Sequence, residues 1–362
     1  MLWLIFEVYT LSFGIKNITD HIPGVIFAMV IAFFGFAVWT QYKPISALMW
    51  SFIFGIIVSN LVKIPENIQT GLKFTSGQLL KFTIALLGLV TSASVWLEVG
   101  IGAINALIII TFSFLVSITL GRRLGLSNKL AILIGVGTSI CGASAIAATA
   151  PAIQAKEEEI GIAVSGITLF GLISMFLYPY LFTSTAVYNW LLGNPLVYAI
   201  WVGSGIHESA QVLAAASTLS PDLIQPALII KSIRIFMIAP IVFASTFFLN
   251  RFETGEGNLK AKVTVPLFAV VFLFNSLICA GLNTYAVGIP VIGTSWLWLQ
   301  SALKSSLIPF LLAISFAGVG SKVKFRDIAK VGLKPFAFAA FMAIIAGTLA
   351  LGLAILVAPY IA

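Results

Sequence analysis

The chain carries very little charge. Only 9% of its 362 residues are Asp, Glu, Lys or Arg, whereas 60% are hydrophobic and the mean hydropathy is +1.10. A soluble domain has about 25% charged residues, so this chain has too few to cover a surface in water. The composition predicts an all-α integral membrane protein, because a helix satisfies its own backbone hydrogen bonds in lipid.

Cysteine and histidine are also scarce. Cys141 and Cys279 both lie in apolar segments, which excludes a disulfide framework. His207 and Glu208 begin the pattern of a zinc-protease helix, but its second histidine position holds Gln211. The sequence has no phosphate-binding glycine loop with Lys-Ser or Lys-Thr, and no basic run interleaved with aromatics. We therefore predict no metal, no cofactor, no ATP-driven transport and no nucleic-acid partner.

Apolar segments dominate what is present. About 20 apolar residues cross the hydrocarbon core as a helix, and eleven segments fit this description. We predict one polytopic membrane domain, 1–362, with an N-terminal interfacial segment at 1–21 and a transmembrane bundle at 22–362. The predicted spans are 22–40, 44–62, 75–93, 97–120, 129–153, 160–182, 195–217, 225–249, 263–282, 290–318 and 333–360.

Basic residues concentrate in the loops that follow even-numbered spans. They are Lys63, Lys73, Arg122, Arg123, Lys129, Arg251, Lys260, Lys262, Lys322, Lys324, Arg326, Lys330 and Lys334. Because cytoplasmic loops carry the excess of Lys and Arg, we predict a cytoplasmic N-terminus and a periplasmic C-terminus.

Two apolar segments resemble each other. They read GVGTSICGASAIAAT at 135–149 and WVGSGIHESAQVLAA at 201–215, and they align without gaps. Glycine and hydroxyl residues weaken both segments as helices. We predict discontinuous helices near 137–144 and 203–209, breaks of the kind that form ligand sites in transporters.

A second pair of similar segments lies at 85–102 and 315–332. In each segment, small residues are followed by a serine-containing turn, a short amphipathic stretch and the start of a new span. The members of this pair lie seven predicted spans apart, so they would be inverted in the membrane, and we predict an inverted-repeat fold. The first pair lies two spans apart and has the same orientation by counting, so the two pairs do not define one simple repeat.

The candidate ligand-binding residues surround the two predicted breaks. A half-helix N-terminus offers N–H groups to an anion, and hydroxyl groups add donors; the alternative is that small residues serve close helix packing. The predicted substrate-binding residues are Gly137, Thr138, Ser139, Cys141, Gly142, Ser144, Gly203, Ser204, His207, Gln211 and Arg234.

Ionisable residues inside spans are costly and therefore functional candidates. His207, Glu208, Lys231 and Lys304 are predicted to couple proton movement or to pair charges, and Arg234 offers a planar fork to an oxyanion. The alternatives are that Lys231 extends to the outer interface and that Arg234 pairs with Glu208. Positive residues outnumber negative ones in this set, which favours a small anion over a cation.

The chain resembles the YeiH family of bacterial inner-membrane proteins, which are labelled sulfate exporters or uncharacterised membrane proteins. The resemblance covers nearly the whole chain. It is carried by GTSICGASAIAA at 137–148, AKEEEI at 155–160, TLFG at 168–171 and GSGIHESAQVLAAA at 203–216. It implies an inverted-repeat transporter of the elevator type, in which one bundle moves against a scaffold, with a site at 137–144 and 203–211.

The leading hypothesis is a secondary active transporter that moves a small anion by alternating access, rather than an enzyme. The resemblance implies sulfate or an organosulfur anion. One alternative is a sodium- or proton-coupled carrier of another solute, with Thr138, Ser139 and freed carbonyls around a cation. Others are an intramembrane enzyme, in which His207 activates Ser139, Ser144 or Cys141, and a sensor or channel. Expected partners are the anion, lipid, a coupling proton or sodium ion, and a second copy in a homodimer.

Overall fold

The structure is a computed structural model that describes residues 18–43, 45–184, 186–252, 267–286, 289–328 and 331–361. Most of the predicted interfacial segment lies outside these residues, as do Lys260, Lys262 and Lys330 of the basic loops. Every regular element in the described ranges is a helix, so the prediction of an all-α protein is confirmed.

Nineteen α-helices are described, joined by short 3₁₀ and π turns. They are α1 (Ile22–Gln41), α2 (Ala47–Leu61), α3 (Glu66–Phe74), α4 (Leu80–Leu87), α5 (Ala93–Val99), α6 (Gly102–Arg123), α7 (Asn128–Ser139), α8 (Ala143–Thr149), α9 (Glu157–Ser184), α10 (Val187–Trp190), α11 (Pro195–Gly205), α12 (Ser209–Leu219), α13 (Ile224–Phe236), α14 (Ile238–Phe252), α15 (Leu267–Gly281), α16 (Pro290–Ala302), α17 (Ile308–Ser321), α18 (Phe325–Ile328) and α19 (Leu333–Val357).

Seven helical stretches of the described chain are long and apolar enough to cross a membrane. They are Thr19–Gln41, Gly102–Arg123, Glu157–Ser184, Pro221–Arg251, Leu267–Tyr285, Ile292–Ser321 and Leu333–Tyr360. Four predicted spans are not among them. Spans 129–153 and 195–217 are interrupted helices, the helix in 44–62 has 15 residues, and 75–93 opens with a polar π turn, Thr75–Leu79. The chain is a multi-pass membrane protein, and the count of eleven spans stays a prediction.

The described residues form two compact units. The first comprises the described residues within Met1–Ala93 and Phe268–Lys324, and the second those within Ser94–Leu267 and Phe325–Ala362. The chain leaves the first unit at Ala93 and again at Lys324, which are nearly equivalent positions in the second pair of similar segments. Each exit is followed by a short helix, α5 or α18, and then by a long one, α6 or α19.

In the first unit, α17 packs against α2 and α1 at small residues. A Cβ atom on Gly320 would lie 2.2 Å from the carbonyl oxygen of Phe52, so the two backbones approach too closely for a side chain there. Amide side chains satisfy the end of α4: Asn275 Nδ2 donates to the carbonyl of Ala85 at 2.8 Å. The unit is thus held by close backbone packing and interhelical hydrogen bonds, as membrane helices generally are.

In the second unit, the two interrupted helices are enclosed by continuous ones. Helix α7 packs between α6 and α9, and α11 packs between α13 and α19. Trp201 of α11 donates its indole N–H to the carbonyl of Gly347 on α19 at 3.1 Å, and its ring stacks on Tyr178 of α9 with centroids 4.2 Å apart. These contacts fix α11, whose C-terminal end carries part of the candidate site.

Candidate functional site

Both predicted helix breaks are present, and they lie at equivalent positions. Helix α7 ends at Ser139 and α8 begins at Ala143, while α11 ends at Gly205 and α12 begins at Ser209. In the gapless alignment Ser139 corresponds to Gly205 and Ala143 to Ser209. The two similar segments of the sequence therefore break at equivalent positions.

The two breaks are made by different backbone devices. In the first, Gly142 has φ +66°, a region that favours glycine because residues with a Cβ atom are strained there. In the second, Ile206 and Glu208 are extended, with φ −81° and −101°. In both cases the last turn of the preceding helix is left with carbonyl groups that have no partner within the helix.

Lys231 of α13 supplies three of the missing partners. Its ammonium group donates to the carbonyls of Ile140 at 2.8 Å, Ile206 at 2.9 Å and His207 at 2.5 Å. An ammonium group has three N–H donors, so all of them are used. One lysine thus joins the two breaks.

Arg234, one turn further along α13, joins the same helix ends. Its Nε donates to the carbonyl of Ser139 at 2.9 Å and its Nη2 to that of Thr138. Its Nη1 reaches Ile206 at 3.0 Å and also Gly203 and Ser204. Cations are favourable at helix C-termini because the helix dipole is negative there.

The aligned positions are bridged pairwise. Thr138 corresponds to Ser204 in the alignment, and both carbonyls accept from Arg234. Ile140 corresponds to Ile206, and both carbonyls accept from Lys231. The similarity between the two segments therefore extends from sequence to hydrogen bonding.

Two alternatives from the sequence are wrong. Lys231 does not extend to an interface, because its side chain is 0% exposed. Arg234 does not pair with Glu208, because every hydrogen-bond partner of its guanidinium in the described structure is a backbone carbonyl. Both cations are instead enclosed by the ends of α7 and α11.

Glu208 lies at a helix N-terminus, that of α12, whereas the two cations bind helix C-terminal ends. Its side chain and that of Gln211 form a reciprocal capping box: the carboxylate accepts from the Gln211 N–H, and the Glu208 N–H donates to Gln211 Oε1 at 3.2 Å. Thr168 of α9 donates its hydroxyl to Glu208 Oε1 at 3.0 Å. Gln211 Nε2 in turn donates to the carbonyl of Thr168 at 3.1 Å, so the predicted oxyanion donor already holds backbone groups.

Unpartnered polar atoms remain at the two breaks. His207 is 0% exposed, and neither of its ring nitrogens has a hydrogen-bond partner. The hydroxyls of Thr138 and Ser204, at aligned positions, are buried and unpartnered as well. Burying a polar group without a hydrogen bond costs about 1–3 kcal/mol, so these four atoms are candidates for ligand contact.

The remaining predicted binding residues divide between packing and surface positions. A Cβ atom on Gly203 would lie 2.5 Å from the carbonyl oxygen of Ala227, and one on Gly137 would lie 2.9 Å from side-chain atoms of Ile146. Both glycines therefore serve close packing. Ser139 and Cys141 are buried, whereas Ser144 is exposed on α8.

Lys304 is not part of this arrangement. It belongs to the first unit, in a π-helical turn at Leu303–Leu307, and its side chain is exposed. The sum of buried charges that included Lys304 is therefore wrong: the cluster holds Lys231 and Arg234 against Glu208.

Sequence reasoning missed the role of Thr168. It lies in the apolar stretch TLFG of α9, forty positions before Glu208 in the sequence. Serine and threonine in membrane helices usually bond their own backbone, and nothing in the local pattern distinguishes a threonine that bonds another helix.

Comparison with known proteins places the chain among membrane proteins. Residues 23–339 match the family model described as conserved hypothetical protein 698. A UPF0324 membrane protein of Yersinia pestis is 32% identical over 89% of this chain and 88% of its own length. A UPF0324 membrane protein of Pseudomonas aeruginosa is 32% identical over 91% and 92%.

The UPF0324 inner membrane protein YeiH of Escherichia coli is 30% identical over 90% of both chains. No solved structure matches the chain. The resemblance read from the motifs of the two breaks is thereby confirmed over most of the sequence: the chain belongs to the family of conserved hypothetical protein 698, the UPF0324 membrane proteins that include YeiH.

Proposed function

We propose that the chain is a secondary active transporter of a small anion in a bacterial inner membrane, and not an enzyme. The observation that carries the proposal is the fully buried cluster at two aligned helix breaks, where Lys231 and Arg234 bridge the helix ends beside the unpartnered His207, Thr138 and Ser204. The proposal includes a fold of about eleven transmembrane spans with an inverted repeat.

Charge favours an anion at the breaks. The cluster contains two cations and one carboxylate, so its net charge is +1 when His207 is neutral. A buried positive site attracts an anion and repels a cation. The donors left for it are the hydroxyls of Thr138 and Ser204 and an N–H of the His207 ring. Sulfate or a sulfonate, the class implied by the YeiH resemblance, presents several oxygens that accept from such donors.

A sodium site made of freed carbonyls has less support. Those carbonyls, of Thr138, Ser139, Ile140, Gly203, Ser204, Ile206 and His207, already accept from Lys231 or Arg234. A sodium ion beside them would also meet two fixed positive charges. We therefore place a sodium-coupled carrier of another solute behind an anion carrier.

Enzyme chemistry also has less support. A nucleophile needs a base within hydrogen-bond reach. The ring nitrogens of His207 bond none of Ser139, Ser144 and Cys141, and the Ser139 hydroxyl points to the carbonyl of Val136 at 3.4 Å.

The test is ligand-dependent stability of the purified protein, followed by uptake into proteoliposomes. Potassium salts of sulfate, sulfite and thiosulfate, together with taurine, are compared with sodium chloride. A ligand at a hundred times its Kd stabilises the folded state by about 2.7 kcal/mol. We expect one sulfur anion to raise the melting temperature and to be taken up.

Three variants locate the site. His207→Leu, Thr138→Val and Ser204→Ala are expected to remove the anion-dependent shift. Thr149→Val is the matched control, because Thr149 is also buried with an unpartnered hydroxyl but lies at the far end of α8. A shift that survives all three variants, or one given by sodium alone, would overturn the proposal.

A further inference from the structure

The N-terminus of α12 is occupied by a carboxylate of the chain itself. Glu208 accepts from the Gln211 N–H and from the hydroxyl of Thr168 at 3.0 Å. Backbone N–H groups at a helix N-terminus are the natural binding place of an anion. A substrate anion that uses this helix end therefore meets an internal anion already there.

Space for the carboxylate is provided by the first break. A Cβ atom on Gly142 would lie 2.5 Å from Cγ and 3.2 Å from Oε1 of Glu208. Gly142 corresponds to Glu208 in the alignment of the two segments. The Glu208 side chain, which caps α12 after the second break, thus lies against Gly142 of the first break.

Glu208 differs from the other charged residues of the cluster in its accessibility. Lys231 and Arg234 are 0% exposed, and so is the neighbouring His207, whereas Glu208 is half-buried. Its carboxylate can therefore leave toward an accessible surface, while the two cations hold the helix ends in place.

A second observation points to a ligand at the two breaks. His207, the residue before Glu208, is buried with both ring nitrogens unpartnered, and the hydroxyls of Thr138 and Ser204 are unpartnered in the adjoining helix ends. Arg234 bonds the carbonyls of both Thr138 and Ser204, so one guanidinium holds the backbones of these two hydroxyl-bearing residues.

We propose that Glu208 is an internal competitor of the transported anion: its carboxylate leaves the N-terminus of α12 when the anion binds and returns when the anion is released. This inference rests on the proposed function. Binding competence then depends on the fraction of molecules in which the carboxylate has left, which weakens apparent affinity by that fraction. Return of the carboxylate displaces the anion and so assists its release.

The competing explanation is that Glu208 is a structural cap and nothing more. Serine separates the two, because it is among the best N-cap residues and carries no charge. Glu208→Ser keeps a cap on α12 but removes the competitor. Thr168→Val keeps the carboxylate but removes one of its donors. Glu158→Ser, at an exposed acid in the first turn of α9, is the control for loss of one negative charge.

The experiment measures the apparent Kd for sulfate, thiosulfate and taurine by thermal shift in detergent, and anion exchange in proteoliposomes. If the competent state is a minority of about 10% or less, Glu208→Ser should bind at least about tenfold more tightly. Anion exchange by Glu208→Ser should be slower, because no carboxylate returns to displace the bound anion. Thr168→Val should lie between Glu208→Ser and the native chain, and Glu158→Ser should match the native chain.

The outcomes separate the two proposals. If the native chain and Glu208→Ser bind an anion equally well, or Glu208→Ser binds it less well, the competitor is overturned and the anion carrier stands. Binding that is seen in Glu208→Ser alone supports both. If the folded native chain and the folded variant bind none of the three probes, both proposals fail. Should Glu208→Ser not fold, Thr168→Val decides, and unchanged affinity in that variant overturns the competitor.

Discussion

Lys231 and Arg234 share one acceptor, the carbonyl oxygen of Ile206, at 2.9 and 3.0 Å. Two like charges tolerate this proximity because each also bonds carbonyls of the opposite helix break. The pair therefore acts as a clasp on the C-terminal ends of α7 and α11. In a membrane, where water is not there to satisfy a freed carbonyl, such partners are required.

Removing either cation is expected to destabilise the protein strongly. Lys231→Met removes the donor to the carbonyls of Ile140 and His207, and Arg234→Met removes the donor to those of Thr138, Ser139, Gly203 and Ser204. The Ile206 carbonyl keeps the other cation in either variant. Each buried carbonyl left unsatisfied costs about 1–3 kcal/mol, which exceeds the gain from no longer burying one charge that is already well bonded. Melting temperature and the yield of monodisperse protein should both fall.

Lys304→Met is the control for the clasp, because Lys304 is an exposed lysine of the other unit. It should melt like the native chain. A Lys231→Met protein with native stability would mean that the broken helix ends find other partners, and the clasp would be discarded. Since these variants change folding, neither is a clean probe of anion binding.

His207→Leu should behave in the opposite way. The ring bonds nothing within the described structure, so replacing it by an apolar side chain removes a buried unsatisfied group and costs no hydrogen bond. We expect an unchanged or higher melting temperature, by up to about 1 kcal/mol of stability, together with loss of anion-dependent stabilisation and uptake. A variant that melts lower while still binding the anion would assign His207 to the packed core.

The breaks themselves could be predicted from the sequence, because the glycine and hydroxyl residues that weaken a helix occur at matched positions of two similar segments. The partners of the broken ends could not. Lys231 and Arg234 were recognised as buried ionisable residues, but a sequence does not say whether a buried cation faces a ligand or a carbonyl. Lys231 and Arg234 are three positions apart, which places both on one face of α13, toward the helix ends.

The number of membrane spans was harder to predict from the sequence than the positions of the breaks. The composition of 129–153 indicates one continuous apolar helix. The segment instead folds as α7 and α8, with non-helical residues between them. The role of Thr168 depends on contact between α9 and the second break, which no local pattern contains.

Gly142→Ala tests the geometry of the first break. Gly142 has φ +66°, and a Cβ atom there would lie 2.5 Å from Glu208 Cγ, so alanine is strained and also displaces the carboxylate. We expect a fall in melting temperature that corresponds to about 1–3 kcal/mol. Gly161→Ala is the matched control: it lies within α9 with no neighbouring atom within 4 Å, and alanine should stabilise that helix. Equal effects of the two substitutions would show that the strained conformation of Gly142 does not matter.

Replacing sodium by choline should change neither the stability of the protein nor anion uptake. The carbonyls freed at the two breaks accept from Lys231 and Arg234, and a sodium ion among them would be repelled by both side chains. Melting curves and uptake of labelled sulfate are compared in sodium, potassium and choline chloride at equal ionic strength, because salt alone screens exposed charges. Stabilisation specific to sodium would contradict this reading. It would mean that a cation binds at oxygens other than those of the clasp, and coupling to sodium would then replace the simple anion carrier.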